Sequence, residues 1–293
     1  MTTAKWFITL LAVTVVAATA TLAQRYYDRR EVPYWEPDKE FAEDVFTFVR
    51  IEYSSGWGGG YGDGYDGGFR QRRGGRRGGR GWGGGRGGGR WATDYPDSDL
   101  NFSYRLQQLT AMEVNPDGVI LRLTDPELFD YPFIYIVEPG ALVFTEDEVQ
   151  ALRRYLLNGG FLMVDDFWGE DEWYNFYYEI KRVFPEREPR ELPLSHPIFH
   201  AVFDLKEKPQ IPSIGIALQG RSYGITWERD DAQEVHYKAL YDDKGRMMAI
   251  ICHNTDLGDG WEREGENEWY FHEFSEKKAY PLGINIVFYA MTH

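Results

Sequence analysis

Residues 133–169, FIYIVEPGALVFTEDEVQALRRYLLNGGFLMVDDFWG, constrain the fold more than any other stretch of this chain. FIYIV is a short apolar, β-branched run closed by Glu-Pro-Gly, the pattern of a strand buried on both faces. Thr145 with Glu148 three residues on is a capping box, so a helix starts there, and Gly159-Gly160 ends it. FLMVDD then reads as a second strand. Two apolar strands joined by one helix imply a parallel pair with a right-handed crossover. The ligand crevice of such a sheet lies beyond the carboxyl ends of its strands, which is where Asp165 and Asp166 fall.

The neighbouring segments carry comparable patterns. VFTFVRIEY (45–53) alternates apolar and polar residues and predicts an opening strand. LNFSYRLQQLTAM has roughly helical spacing at Leu100, Tyr104, Leu106 and Leu109, with Asp97 or Ser98 as the expected cap. A strand at 119–122 and a helical turn opened by Asp125-Pro126 follow. WYNFYYEIKRVFP (173–185) predicts an aromatic-rich helix stopped at Pro185. GITW, VHYKALYD and RMMAIICHN predict strands, the last two joined by a turn at Asp242-Asp243-Lys244-Gly245. PLGINIVFYAMTH predicts a helix with Pro281 in its first turn and Ile284, Val287, Phe288 and Met291 on one face.

The amino-terminal MTTAKWFITLLAVTVVAATATLAQ has one Lys, an apolar run and small residues near position 23, the layout of a secretory signal over 1–23. Export to the periplasm or the medium is the expectation, and inner-membrane anchoring by residues 6–23 is the alternative. An extension over 24–42 and one α/β domain over 43–293 complete the expected organisation. With a single cysteine, Cys252, no intramolecular disulfide can form, and burial as a small hydrophobe is its expected role.

The formal net charge of −15 is uneven. Residues 56–90 carry eight Arg against Asp63 and Asp66 and 19 of the 32 Gly, so the remainder is more acidic than the total. This tract cannot bury enough apolar surface to order itself and is expected to be a disordered Gly/Arg-rich insertion in a surface loop. Its Arg and aromatic residues resemble those of single-strand RNA binders. An exported location argues against nucleic acid, leaving an anionic polymer or envelope surface as the partner for Arg70–Arg90 and a solvated tether as the plainer reading.

Residues able to do chemistry gather at predicted strand ends. Asp165, Asp166 and Trp168 follow the central strand, Asp94 and Asp99 lie near the start of the first helix, His196 precedes Pro197, and His253, Asn254 and Asp256 end a late strand. Oxygen ligands of this kind suit Ca²⁺ or Mg²⁺, and a histidine would shift the preference toward Zn²⁺ or Mn²⁺. The spacing matches no metal motif, so no cofactor is expected, with a divalent metal as the alternative. Each residue also has a structural reading: Asp94, Asp99 and Asp165 as helix caps, and His196 as a turn residue. Trp168 and Trp173 are candidates for a stacking platform or for core packing.

FTFVRIEY, WATDYPDSDLNFSYRLQQLT, DPELFDYPFIYIVEPG, LRRYLLNGGFLMVDDFWG, LPLSHPIF, NTDLGDGWE and GINIVFYAMTH resemble, in order, the bacterial family of domain of unknown function 4159. That family looks related to class I glutamine amidotransferase-like proteins, which implies a flavodoxin-like three-layer α/β sandwich with a mostly parallel central sheet. Those enzymes carry a Cys nucleophile in the turn after a central strand and a His-Glu pair after a later one. The corresponding turn here is Asp165-Asp166-Phe167-Trp168-Gly169, without a thiol, and His253 has no Glu partner. Glutaminase activity is therefore not expected. The resemblance leaves two functions: a non-catalytic ligand- or protein-binding module of the cell envelope, or a metal-dependent or carboxylate-based hydrolase of an envelope glycan or peptide.

Overall fold

A computed structural model of the chain describes residues 32–41, 44–56 and 89–293. The expected signal or anchor, residues 24–31 and 42 of the extension, and nearly all of the Gly/Arg tract lie outside the described residues. Among the described residues no helix is long and apolar enough to cross a membrane.

The strands are β1 (Val49–Ile51), β2 (Ser54–Ser55), β3 (Val119–Leu121), β4 (Phe133–Val137), β5 (Leu142–Val143), β6 (Phe161–Asp165), β7 (Arg190–Glu191), β8 (His236–Tyr241) and β9 (Met247–His253). Seven of them form one sheet in the order β3-β1-β4-β6-β9-β8-β7, and β2 pairs with β5 apart from it. β3, β1, β4, β6 and β9 are mutually parallel, and β8 runs antiparallel to β9 and to β7. The carboxyl ends of these five parallel strands therefore point to one edge. Register aligns Val137 with Asp165, so Glu138 and Asp166 leave the sheet side by side.

Helices cover both faces, as a parallel sheet requires. α1 (Asp97–Leu109), α5 (Leu257–Glu262) and α6 (Tyr280–Thr292) pack on one side, where Phe102, Leu106, Trp261 and Ile284 meet Phe48, Phe133, Tyr135 and Met163. α2 (Glu146–Leu157) and α3 (Gly169–Val183) pack on the other, where Leu152, Leu156, Phe176 and Ile180 meet Ile134, Ile136, Leu162 and Val164. Odd and even residues of β4 and β6 thus serve different layers, because successive strand side chains face opposite ways. α4 (Ile214–Gly220) lies in the connection to β8. The molecule is accordingly an α/β protein with a mostly parallel seven-stranded sheet between helical layers.

The capping box of α2 forms as expected, with Glu148 N donating to Thr145 Oγ1 and Thr145 N to Glu148 Oε2. Three expectations are corrected. Neither Asp97 nor Ser98 caps α1: both are inside the helix, whose N-cap is Pro96 without a side-chain bond. α3 begins at Gly169, four residues before Trp173, because Trp168 N donates to Glu172 and Gly169 N to Asn254, which stabilises an earlier turn. GITW forms no strand: beyond β9 the sheet is completed by β8 and β7. The last helix is also longer than its apolar pattern: a π-helical stretch, Phe271–Ala279, leads into α6, which is buried nearly all round.

Candidate functional site

The strand-end edge is built from four turns, each marked by a non-glycine residue with left-handed backbone. These are Asp94 (φ 61°), Glu138 (φ 47°), Asp166 (φ 58°) and Asn254 (φ 62°), the full set of such residues in the described chain. Asp and Asn tolerate this region better than other side chains, and Glu does not. Residues held so concentrate at functional sites. Glu138 is held there by the end of β6 and by Tyr53, since Glu138 N donates to Asp165 O and Tyr53 Oη to the carbonyls of Val137 and Glu138.

Asp165 closes β6 and is wholly buried on the α1/α5 side. Its Oδ2 accepts from Tyr135 Oη (3.1 Å), Leu257 N (2.9 Å) and Gly258 N (3.1 Å), whereas its Oδ1 accepts nothing. Asp165 thus steadies the start of α5, not the helix after its own strand as its capping reading proposed. Burial pushes its carboxyl up to about 7, opposed by the Gly258 amide and Tyr135. Asp166, next in the chain, is buried and accepts from Trp168 Nε1 at 3.2 Å. Burial first, then the charges of Glu138, Asp94 and Asp165, raise its carboxyl well above the usual range.

Asp256 caps α5 through Asp259 N (2.7 Å), and Asp259 in the first turn accepts from Ile214 N (3.1 Å) and pairs with Arg263 (3.3 Å). Asp94, on the loop before α1, faces both: one carboxylate oxygen from each of Asp94, Asp256 and Asp259 lies within 4.8 Å of the other two. Burial raises all three carboxyls, helped at Asp94 and Asp256 by repulsion within the cluster and at Asp259 by Glu228, against the pull of Arg263. Beneath them, the buried Arg50 holds Asp99 through Nε and Nη2 and donates to the carbonyls of Trp91 and Thr93. Arg50 therefore fixes the loop that carries Asp94, and Asp99 serves as its counter-ion.

The other sequence candidates separate from this cluster. Asn254 is fully engaged, accepting from Gly169 N (2.8 Å) and donating to Glu234 O (2.8 Å), and it ties β9 to the turn after β6. Trp168 is 5% exposed and offers no open stacking face, so packing wins over the platform. His253 faces the α3 layer between Phe167 and Trp173, with Nε2 on Gly169 O (3.1 Å) and burial lowering its pKa to about 4. It sits on the side opposite Asp165. His196 leaves the site altogether: it caps a turn through Ile198 N and lies beside Tyr241, at the other end of the sheet. Cys252 is buried in β9 with its thiol raised by burial, in keeping with a packing role.

Asp259, Glu138, Tyr135, Arg50 and Gly258 belong to the site but carry no sequence motif. A left-handed Glu138 after FIYIV is foreshadowed by Glu-Pro-Gly, and Asp259 by its three-residue spacing from the cap Asp256. Nothing local announces Arg50, whose role depends on a loop forty residues away.

The family model described as Domain of unknown function (DUF4159) matches residues 83–291, which include every carboxylate of this cluster. The chain belongs to that family. The DUF4159 match takes in β3 through α6 and starts inside the Gly/Arg tract, so β1 and its Arg50 lie ahead of it. No curated protein matches the sequence.

Proposed function

We propose that this DUF4159 chain is an exported, non-catalytic binding module of the class I glutamine amidotransferase-like type, whose strand-end edge receives a positively charged ligand of the cell envelope. Support for the type comes from the order of the sheet and from the left-handed Asp166 between β6 and α3, the position of a nucleophile elbow, where no thiol stands. The observation that carries the function is the convergence of Asp94, Asp165, Asp166, Asp256 and Asp259 with too few cations among them. Arg50 is committed to Asp99, and Arg263 is shared between Asp259, Glu262 and Glu266. Buried carboxylates short of counter-charge cost several kcal/mol, and a cationic ligand offsets that cost. Titration with divalent cations, spermidine and glucosamine oligomers, read by thermal shift, tests this. Stabilisation by any of them that is lost in Asp166→Asn or Asp256→Asn is expected, and no response to all of them would refute it.

One observation favours the alternative of a carboxylate-based hydrolase: Asp165, held up to about 7, is suited to give and take a proton near neutrality. Against it, His253 and His196 bond Gly169 O and Ile198 N, not any carboxylate of the cluster. Cleavage of envelope glycans or peptides that disappears in Asp165→Asn would favour the hydrolase.

A further inference from the structure

We propose that Asp94, Asp256 and Asp259 form a binding site for one hard divalent cation, the inference resting on the reading of this edge as a cation-receiving surface. The geometry suits it. Oxygens within 4.8 Å of one another can all reach a central ion at the roughly 2.1–2.6 Å of Mg²⁺–O or Ca²⁺–O bonds with little movement. The three residues come from two rigid places. Arg50 pins the Asp94 loop, while Asp256 and Asp259 are fixed by the first turn of α5 and by Ile214 N.

Two further observations point to a ligand and not merely to crowded acids. Asp94 Oδ2 is shielded from solvent and accepts no hydrogen bond, yet it is aimed at this turn. A Cβ on Gly258 would stand 2.7 Å from it and 3.3 Å from Asp256 Oδ1, so glycine leaves the space between the two carboxylates open. The second is Oδ1 of the wholly buried Asp165, also unpartnered, on the carboxylate that Leu257 and Gly258 hold against the same turn. Such oxygens are rarely abandoned in a folded protein.

Charge and donor type identify the class. Three carboxylates meet one cation, Arg263, which Glu262 and Glu266 also share, leaving a deficit of at least two charges. With no histidine or thiol in the cluster, the donor set selects Mg²⁺, Ca²⁺ or Mn²⁺ over Zn²⁺.

Isothermal titration calorimetry on the full chain with MgCl₂, CaCl₂ and MnCl₂, with ZnCl₂ and spermidine as comparisons, tests the site. Asp94→Asn and Asp256→Asn are the informative variants, because Asn accepts left-handed backbone at 94 and caps a helix at 256. One saturable site for a hard divalent ion, weakened at least about tenfold in either variant, is expected. Tight binding that both variants retain would overturn the proposal, as would binding of zinc alone. Saturable spermidine binding with no metal bound would overturn the metal site but leave the wider cation-binding reading standing. No binding of any of these would remove both.

Discussion

Acid should destabilise this protein through His253, and the effect can be isolated. The ring is buried between Phe167 and Trp173, and its pKa falls from the usual 6.5 to about 4. Between those two values the unfolded chain holds the extra proton, so the stabilising contribution is complete above about pH 6.5 and lost as pH falls toward 4. By pH 5 the loss is about 2 kcal/mol. For a domain of this size that lowers Tm by roughly 4–8 °C. The strand-end carboxyls work in the opposite sense: their raised values mean that acid relieves repulsion among them. The wild-type profile alone therefore mixes two signs, and the assay must be a difference. His253→Phe keeps an aromatic ring in an aromatic pocket and gives up the bond to Gly169 O, a pH-independent cost of about 1 kcal/mol. Tm of wild type minus variant, measured by calorimetry at pH 7.5 and pH 5.0, should shrink by roughly 4–8 °C. A difference unchanged with pH would mean that His253 is not held neutral, and the assignment of a structural role to it would fail.

Asp166→Asn should raise the melting temperature of the metal-free protein, because Asn keeps the bond from Trp168 and the left-handed backbone while removing a carboxyl that its neighbours repel; a loss of stability in thermal melts would contradict this. Arg50→Met strands the buried Asp99 and frees the Asp94 loop, so denaturant unfolding should report a loss of about 3–5 kcal/mol, and a near-neutral result would show that the pair is not a keystone. Gly258→Ala places a Cβ 2.7 Å from Asp94 Oδ2 and should abolish stabilisation by divalent cations in a thermal-shift titration, an outcome that full retention would refute.

The centre of the fold is legible in the sequence because the interactions that make it are local. Thr145 and Glu148 are three residues apart, Gly159-Gly160 follow the helix directly, and FIYIV and FLMVD need only their own apolarity to be buried on both faces. GITW misleads for the converse reason: its β-branched residues suit a strand, but beyond β9 the sheet is completed by β8 and the edge strand β7, and pairing, not local propensity, decides. Asp165 and Asp166 fall at the carboxyl end of β6 because strand direction follows from the crossover alone. Which face each serves does not, since that depends on where α5 comes back. Asp256 can be found as a strand-end acid, whereas its partner Asp94 is brought to it by Arg50, a contact between β1 and a loop some forty residues on. His196 is misplaced for the same kind of reason: nothing near it in the chain tells which end of the sheet its turn will meet.

The central claim is that the carboxylates at the strand ends await a cation, and diffraction from crystals grown in MnCl₂ tests it most directly. A single anomalous peak is expected among Asp94, Asp256 and Asp259, with one oxygen of each at about 2.2 Å. A well-ordered cluster with no peak, or a peak lodged instead between Glu138 and Glu172, would contradict it.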